Sequence, residues 1–174
     1  MNIINDEYAI VLPPRCGTRW IGGKLAEFDM CDEVPPQHWW EESKRGNRKV
    51  LSMCRNPYTR LPSLFRWVYL VMTPESKDFT EWILSNEYKK YPPQAETYGD
   101  NQKNIYRYIK LENYREEFKK ILGIDMGLYQ GEYKDDKFDH LIDPDWMKNP
   151  EIISNYNEFE KVSFDLFGYK MIEL

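Results

Sequence analysis

The apolar run AIVL inside residues 7 to 13 is bounded by charge on one side and by two prolines on the other, which predicts a first strand. After the tight stretch PPRCGTRW, the residues Trp20, Ile21, Lys24, Leu25 and Phe28 share a helical face, so a helix is expected over Thr18 to Phe28. The following segment, DEVPPQHWWEESKRGNRK, is polar and proline-containing and reads as an irregular connection. It ends at KVLSMC, Lys49 to Cys54, a short run suited to a second buried strand. Leu61, Leu64, Phe65, Val68, Tyr69 and Met72 then keep helical period. A helix starting near Pro57 or Tyr58 puts Pro62 near the end of its first turn, where the missing N–H does least harm.

Further helix is expected over Asp78 to Lys89, then a loop through YPPQAETYGDNQ. Asn104 to Leu111 alternates Ile105, Arg107, Ile109 and Leu111 against Tyr106, Tyr108 and Lys110, the period of a third strand. Asn113 can cap the helix YREEFKKIL, which stops near Gly123, and Pro150 to Phe167 reads as a closing helix. With no repeats and no Pro/Gly/Ser linker, residues 1–174 read as a single domain. Strands alternating with helices predict an α/β layer structure with a mostly parallel sheet, whose ligand site lies at the carboxyl ends of the strands. PPRCGTRW and RNPYTRLPS both sit at such ends.

Composition narrows the function. The 174 residues are 41% hydrophobic and 16% aromatic, enough for a real core. A net charge of −5 argues against a general nucleic-acid binder, yet leaves room for one local basic pocket around a small anion. Cys16, Cys31 and Cys54 form no CxxC pair and leave an odd count, so neither a disulfide framework nor a zinc site is indicated and a reducing compartment fits. The N-terminus lacks the pattern of a secretory leader and no apolar run is long enough to span a membrane, which predicts a soluble, cytoplasmic protein.

The two strand-end loops carry the chemistry. PPRCGTRW is read either as an ordinary turn or as a phosphate cradle, in which backbone N–H groups and a helix N-terminus face an anion and a cationic side chain completes its neutralisation. RNPYTRLPS supplies Arg55 at the end of a strand, Arg60 five residues on and Ser63 three beyond, with Arg60 and Ser63 on one helix face. Guanidinium forks and a hydroxyl are the donors a phosphate monoester needs; the alternative is a solvated basic helix start.

In this order and at this separation the two loops resemble the sulfotransferase family, enzymes that use 3′-phosphoadenosine 5′-phosphosulfate (PAPS). The family's first loop reads P-K-[ST]-G-T-[TS] and its second R-x-P-x-x-R-x-x-S. The second is complete at Arg55, Pro57, Arg60 and Ser63. The first is met at Pro14, Gly17 and Thr18, carries Arg15 for lysine, and departs at Cys16 and Arg19. IYRYIKLENYREEF and the closing segment ending in Phe167-Gly168-Tyr169 extend the likeness over nearly the whole chain. No C-terminal Gly-rich basic loop is visible, so the chain is closer to the carbohydrate-type branch in a compact version.

The resemblance implies a P-loop-like three-layer α/β fold and transfer of a sulfuryl group from PAPS to a hydroxyl of a carbohydrate or other small molecule, leaving 3′-phosphoadenosine 5′-phosphate (PAP). It implies no metal. Pro14 to Trp20 would hold the 5′-phosphosulfate end, with Arg15 at the leaving phosphate, and Arg55, Arg60 and Ser63 the 3′-phosphate. The base expected between the loops is His38, with Glu41 and Glu42 as substitutes; His140, near the closing segment, has the weaker claim. Trp20 reads either as an adenine stacker or as core, and Trp39, Trp40, Tyr91 and Tyr98 as acceptor-side aromatics. Two rivals remain: a P-loop nucleotide kinase, although Lys24 arrives one residue late for that motif and Leu25 replaces its Ser/Thr, and a non-catalytic binding or assembly protein.

Overall fold

Val50 to Cys54 carry no charge and are buried throughout, as a strand with neighbours on both sides requires. A computed structural model describes residues 1–30, 40–71, 78–128 and 140–173. In it this strand, β3 (Lys49–Cys54), lies in a four-stranded sheet between β2 (Tyr8–Val11) and β4 (Ile105–Lys110), parallel to both. The chain is therefore α/β with a mostly parallel sheet. It divides into two compact units, Met1–Arg55 with Thr97–Glu132, and Asn56–Glu96 with Tyr133–Leu174.

The first unit holds the sheet. Ala9, Ile10 and Val11 lie opposite Val50, Leu51 and Ser52, so the carboxyl ends of β2 and β3 emerge side by side. A short edge strand, β1 (Asn2–Ile3), pairs antiparallel with β2. Two residues have no readable period, and no sequence signal announced it. Its return is made by Asn5, whose side-chain oxygen accepts the N–H groups of Glu7 and Tyr8 at 2.9 and 2.8 Å.

Helix α1 (Thr18–Glu27) buries Ile21 and Leu25, one turn apart, against a core that includes Ile10, Leu51, Met53, Ile109 and Phe118. The connection expected to be irregular contains a one-turn helix, α2 (Glu42–Arg45). Helix α5 (Tyr114–Leu122) stops at Gly123, which takes φ +73°, as the sequence predicts. Asn113 precedes it without making a side-chain cap, because its backbone (φ −123°, ψ 15°) is not in the extended conformation that aims a cap oxygen at the helix amides.

In the second unit α3 (Pro57–Val71) starts at an Asn-Pro pair. The Asn56 side chain accepts the Tyr58 N–H at 2.9 Å and Pro57 has no N–H to satisfy, so the helix is capped by both. Pro62 is the sixth helical residue, past the first turn, and withholds the N–H that would bond the Tyr58 carbonyl. Met72, expected at the end of this helix, lies outside the described residues. The helix expected over 78–89 ends sooner: α4 (Phe79–Leu84), capped by Asp78, gives way at Asn86, which takes φ +59°, to a tighter turn over Glu87–Lys90. Residues 94–104 form 3₁₀ turns broken at Gly99 rather than open loop. The closing helix is two, α6 (Pro150–Phe159) and α7 (Lys161–Phe167), separated at Glu160.

This unit accounts for much of the chain's aromatic content. The Phe65 ring lies 5.2 Å from Phe79 and 5.4 Å from Trp82, and Phe79 lies 5.4 Å from Trp146, centroid to centroid. Such pairs add roughly 0.5–1.5 kcal/mol each to the burial of the rings. Phe65→Ala is expected to lower the unfolding free energy by about 3–5 kcal/mol, read as a lower urea midpoint at unchanged slope. A loss below about 1 kcal/mol would mean that this cluster is not the core of the unit.

Candidate functional site

The loop between β2 and α1 is built around its prolines. Cys16 N–H donates to the Pro13 carbonyl at 3.3 Å, closing a four-residue turn with Pro14 second and Arg15 third. Proline presets the backbone of the second position, and the third takes φ +67°, as a type II turn needs. Glycine or asparagine usually stands there; a side chain as large as arginine is strained by roughly 1–2 kcal/mol. Gly17 follows with φ +75° and is the residue from which α1 springs, the Ile21 N–H bonding its carbonyl at 2.9 Å. Thr18 is buried, and its hydroxyl donates to the Pro13 carbonyl at 2.5 Å. That bond ties the helix start back to the turn.

Arg55 joins this loop to the end of β3. Its Nη1 donates to the Arg15 carbonyl at 3.3 Å, so the parallel pairing of β2 and β3 brings Arg15 and Arg55 together at one sheet edge. Both are half-buried, Cys16 and Gly17 are buried, and Arg19 is exposed. Trp20 packs edge-on against Tyr114, their centroids 5.1 Å apart, as part of the core margin.

Beneath the loop lies a buried polar group that the sequence did not disclose. Tyr98, expected on the acceptor side, is 3% exposed; its hydroxyl accepts from Ser52 Oγ at 2.9 Å and donates to the Met53 carbonyl at 3.0 Å. Burial first, then the nearby thiol of Cys16, push its phenol well above the ordinary tyrosine range, so it stays neutral. Cys16 and Cys54 are buried and not joined in a disulfide.

Among the candidate bases, His38 lies outside the described residues, as do Trp39 and Cys31. Asn2 pairs with Ile10, which sets Met1 level with the carboxyl end of β2, and Glu41 Oε1 stands 3.8 Å from the Met1 amino nitrogen. Glu41 thus flanks the loop-bearing edge of the sheet. Glu42 accepts from Trp40 Nε1 at 2.8 Å and from Arg45 Nη1 at 2.7 Å, and these donors, the indole first, hold its carboxyl below the usual range. That makes Glu42 a poor base. His140 is exposed.

In the second unit, Arg60 and Ser63 lie one turn apart on α3 and are 5% and 7% exposed. Arg60, expected among the phosphate ligands, has its guanidinium engaged: Nη1 donates to Glu160 Oε1 at 2.9 Å and Nη2 to the Pro92 carbonyl at 3.3 Å. Tyr91, half-buried, meets Trp67 edge to face at 5.8 Å. Among the described residues, no three His, Cys, Asp or Glu side chains gather as a metal site, and no helix is long and apolar enough to cross a membrane.

Backbone strain in the loop has a measurable consequence. Arg15→Gly removes the side chain from a left-handed position and should leave urea stability equal to wild type or up to about 1 kcal/mol higher, whereas Gly17→Ala should lose about 1–2 kcal/mol. A marked loss in Arg15→Gly would show that the arginine side chain, not the turn, supports the loop. Compared with known proteins, the chain matches no family model, no curated protein and no solved structure, so the function of the loop has to be read from its own residues.

Proposed function

We propose that the chain is a PAPS-dependent sulfotransferase with a P-loop-like three-layer fold, acting on a hydroxyl of a carbohydrate or other small molecule. The observation that carries the reading is the hydrogen bond from Arg55 to the Arg15 carbonyl, which joins two arginine-bearing loops at the carboxyl edge of a parallel sheet. A turn that ends on a left-handed glycine and opens directly into α1 offers backbone N–H donors and a helix N-terminus to an anion. The donor set fits a phosphosulfate: the helix end and Arg15 supply charge without a bound cation.

Sulfuryl transfer, like phosphoryl transfer, moves a planar and loosely bonded group in line between two oxygens, so positioning and electrostatic stabilisation supply most of the rate. The acceptor oxygen bonds to sulfur as the bond from sulfur to the phosphate oxygen breaks; the acceptor proton passes to a base and PAP leaves. Arg15 meets the charge that grows on the leaving phosphate. Arg55, at the end of β3, takes the 3′-phosphate by its place in the motif. His38 is the proposed base, with Glu41 next in line.

Lys24 speaks against the kinase alternative. It sits in the last turn of α1, bound to Glu27 at 2.7 Å, whereas a phosphate-binding lysine of that motif belongs at the helix start beside its loop.

Saturating PAP in the presence of a chelator should raise Tm. At a hundredfold excess over Kd the stabilisation is roughly 2.7 kcal/mol, or about 5–10 °C for a chain of this size. No shift would favour a non-catalytic assembly protein, and a shift seen only with ATP and magnesium would favour a kinase. Arg55→Ala should weaken PAP binding at least tenfold, while Arg15→Ala should lower kcat by on the order of 10²-fold with a smaller change in PAP affinity. Unchanged turnover in Arg15→Ala would remove it from the chemistry.

A further inference from the structure

Tyr58 stands between Pro57 and Arg60, at a position that the loop motif leaves open. Its ring is set in the aromatic cluster of the second unit, 5.0 Å from Phe164, 6.1 Å from Tyr156 and 6.3 Å from Trp146, centroid to centroid. Its hydroxyl donates to Asn157 Oδ1 and accepts the Ile172 N–H at 2.8 Å, while Asn157 Nδ2 donates to the Ile172 carbonyl at 2.9 Å. Two side chains thus satisfy both main-chain groups of one residue, as a neighbouring β-strand would. Gly168, at φ +64°, ends α7, and the Tyr169 N–H closes that end on the Phe164 carbonyl at 3.1 Å.

We infer that Tyr58 and Asn157 form a clamp that reads the main chain of an extended peptide segment, and that residues 169–173 occupy it as a strap able to let go while the helices beneath stay folded. Three observations support this. The two halves of the clamp are fixed without the strap: Tyr58 by its ring contacts, and Asn157 by its place on α6 beside Tyr156, whose hydroxyl donates to the Pro57 carbonyl at 2.9 Å. The strap buries little of its own, since Tyr169 and Ile172 pack against the aromatic cluster but Lys170, Met171 and Glu173 are exposed. A segment with so few apolar contacts opens at the low end of a protein's range of local stabilities. The last bond of α7 is made by the Tyr169 N–H, so release of Ile172 does not unwind that helix. Because the clamp bonds the main chain, the occupant it selects is a residue with an N–H and an apolar side chain, never proline.

The test uses the full chain, well below Tm. Amide exchange is followed at Ile172 and along α3, α6 and α7, and carboxypeptidase trimming of the chain end is read by mass, in wild type, Tyr58→Phe, Asn157→Ala and Ile172→Val. Tyr58→Phe keeps the ring and removes the hydroxyl; Asn157→Ala removes the amide. Each should speed both Ile172 exchange and trimming past that residue roughly five- to tenfold, the effect of one or two lost hydrogen bonds on a local opening, while the helices keep wild-type protection. Ile172→Val, which leaves the main chain intact, should stay within about threefold of wild type. Helices that quicken together with the strap would make it part of one cooperative unit and overturn the inference. So would Tyr58→Phe and Asn157→Ala variants no faster than wild type, or an Ile172→Val variant as fast as they are, which would assign the hold to side-chain packing. If Tyr58→Phe does not fold, Asn157→Ala, at a half-buried position, decides by the same readings.

Discussion

The parallel pairing of β3 on both its edges is the constraint on which the sheet-bearing unit depends. The β3 stretch Val50 to Cys54, buried on both faces, carries no charge, and bonding on both edges occupies most of its backbone groups. Ser52 is the polar exception, and its hydroxyl is satisfied inside by Tyr98. Because β2 and β3 run the same way, the loops that leave them open at one edge, and Arg55 reaches the Arg15 carbonyl as a result.

The two units meet the problem of buried polarity differently. Beneath the loop of the first, the groups are neutral: a serine, a tyrosine and backbone carbonyls, each bond worth on the order of 1 kcal/mol net. The second buries a full charge pair, Arg60 and Glu160, inside an aromatic core. Such a pair adds little to stability over a well-packed apolar one, but breaking it leaves a lone charge in a medium of low dielectric. Its effect is directional. Tyr88, nearby, shows how strongly this interior disfavours charge: burial, reinforced by Glu160, pushes its phenol up to about 12.

One of the strained backbone positions falls where the proposed chemistry is. Arg15 occupies a left-handed position that glycine would take without strain, within a turn closed by proline and tied down by Thr18. The surrounding bonds over-determine the conformation, which is the condition under which such strain persists. The same geometry holds the arginine backbone beside Arg55, so a locally unfavourable residue is the one that brings positive charge to the helix start.

The order of strands and helices was legible in the residues because each long element carries a periodic apolar face: KVLSMC matches β3 residue for residue, and Thr18, Pro57 and Gly123 mark helix boundaries where they stand. The arginine-bearing loops were legible too, since a motif is a local property. What escaped was whatever depends on distant partners or on backbone angles. β1 is too short to have a period, the Asn113 cap fails on a dihedral angle, and the closing helix breaks at Glu160, a good helix former whose side chain is taken by other segments. Arg60 and Glu160 are a hundred positions apart. Nothing in either one's neighbourhood names the other, so the sequence determined that an arginine would follow β3 on the first turns of a helix, and only the tertiary structure decided that it faces a buried carboxylate, because the free energy of a buried charge is set by what surrounds it in space.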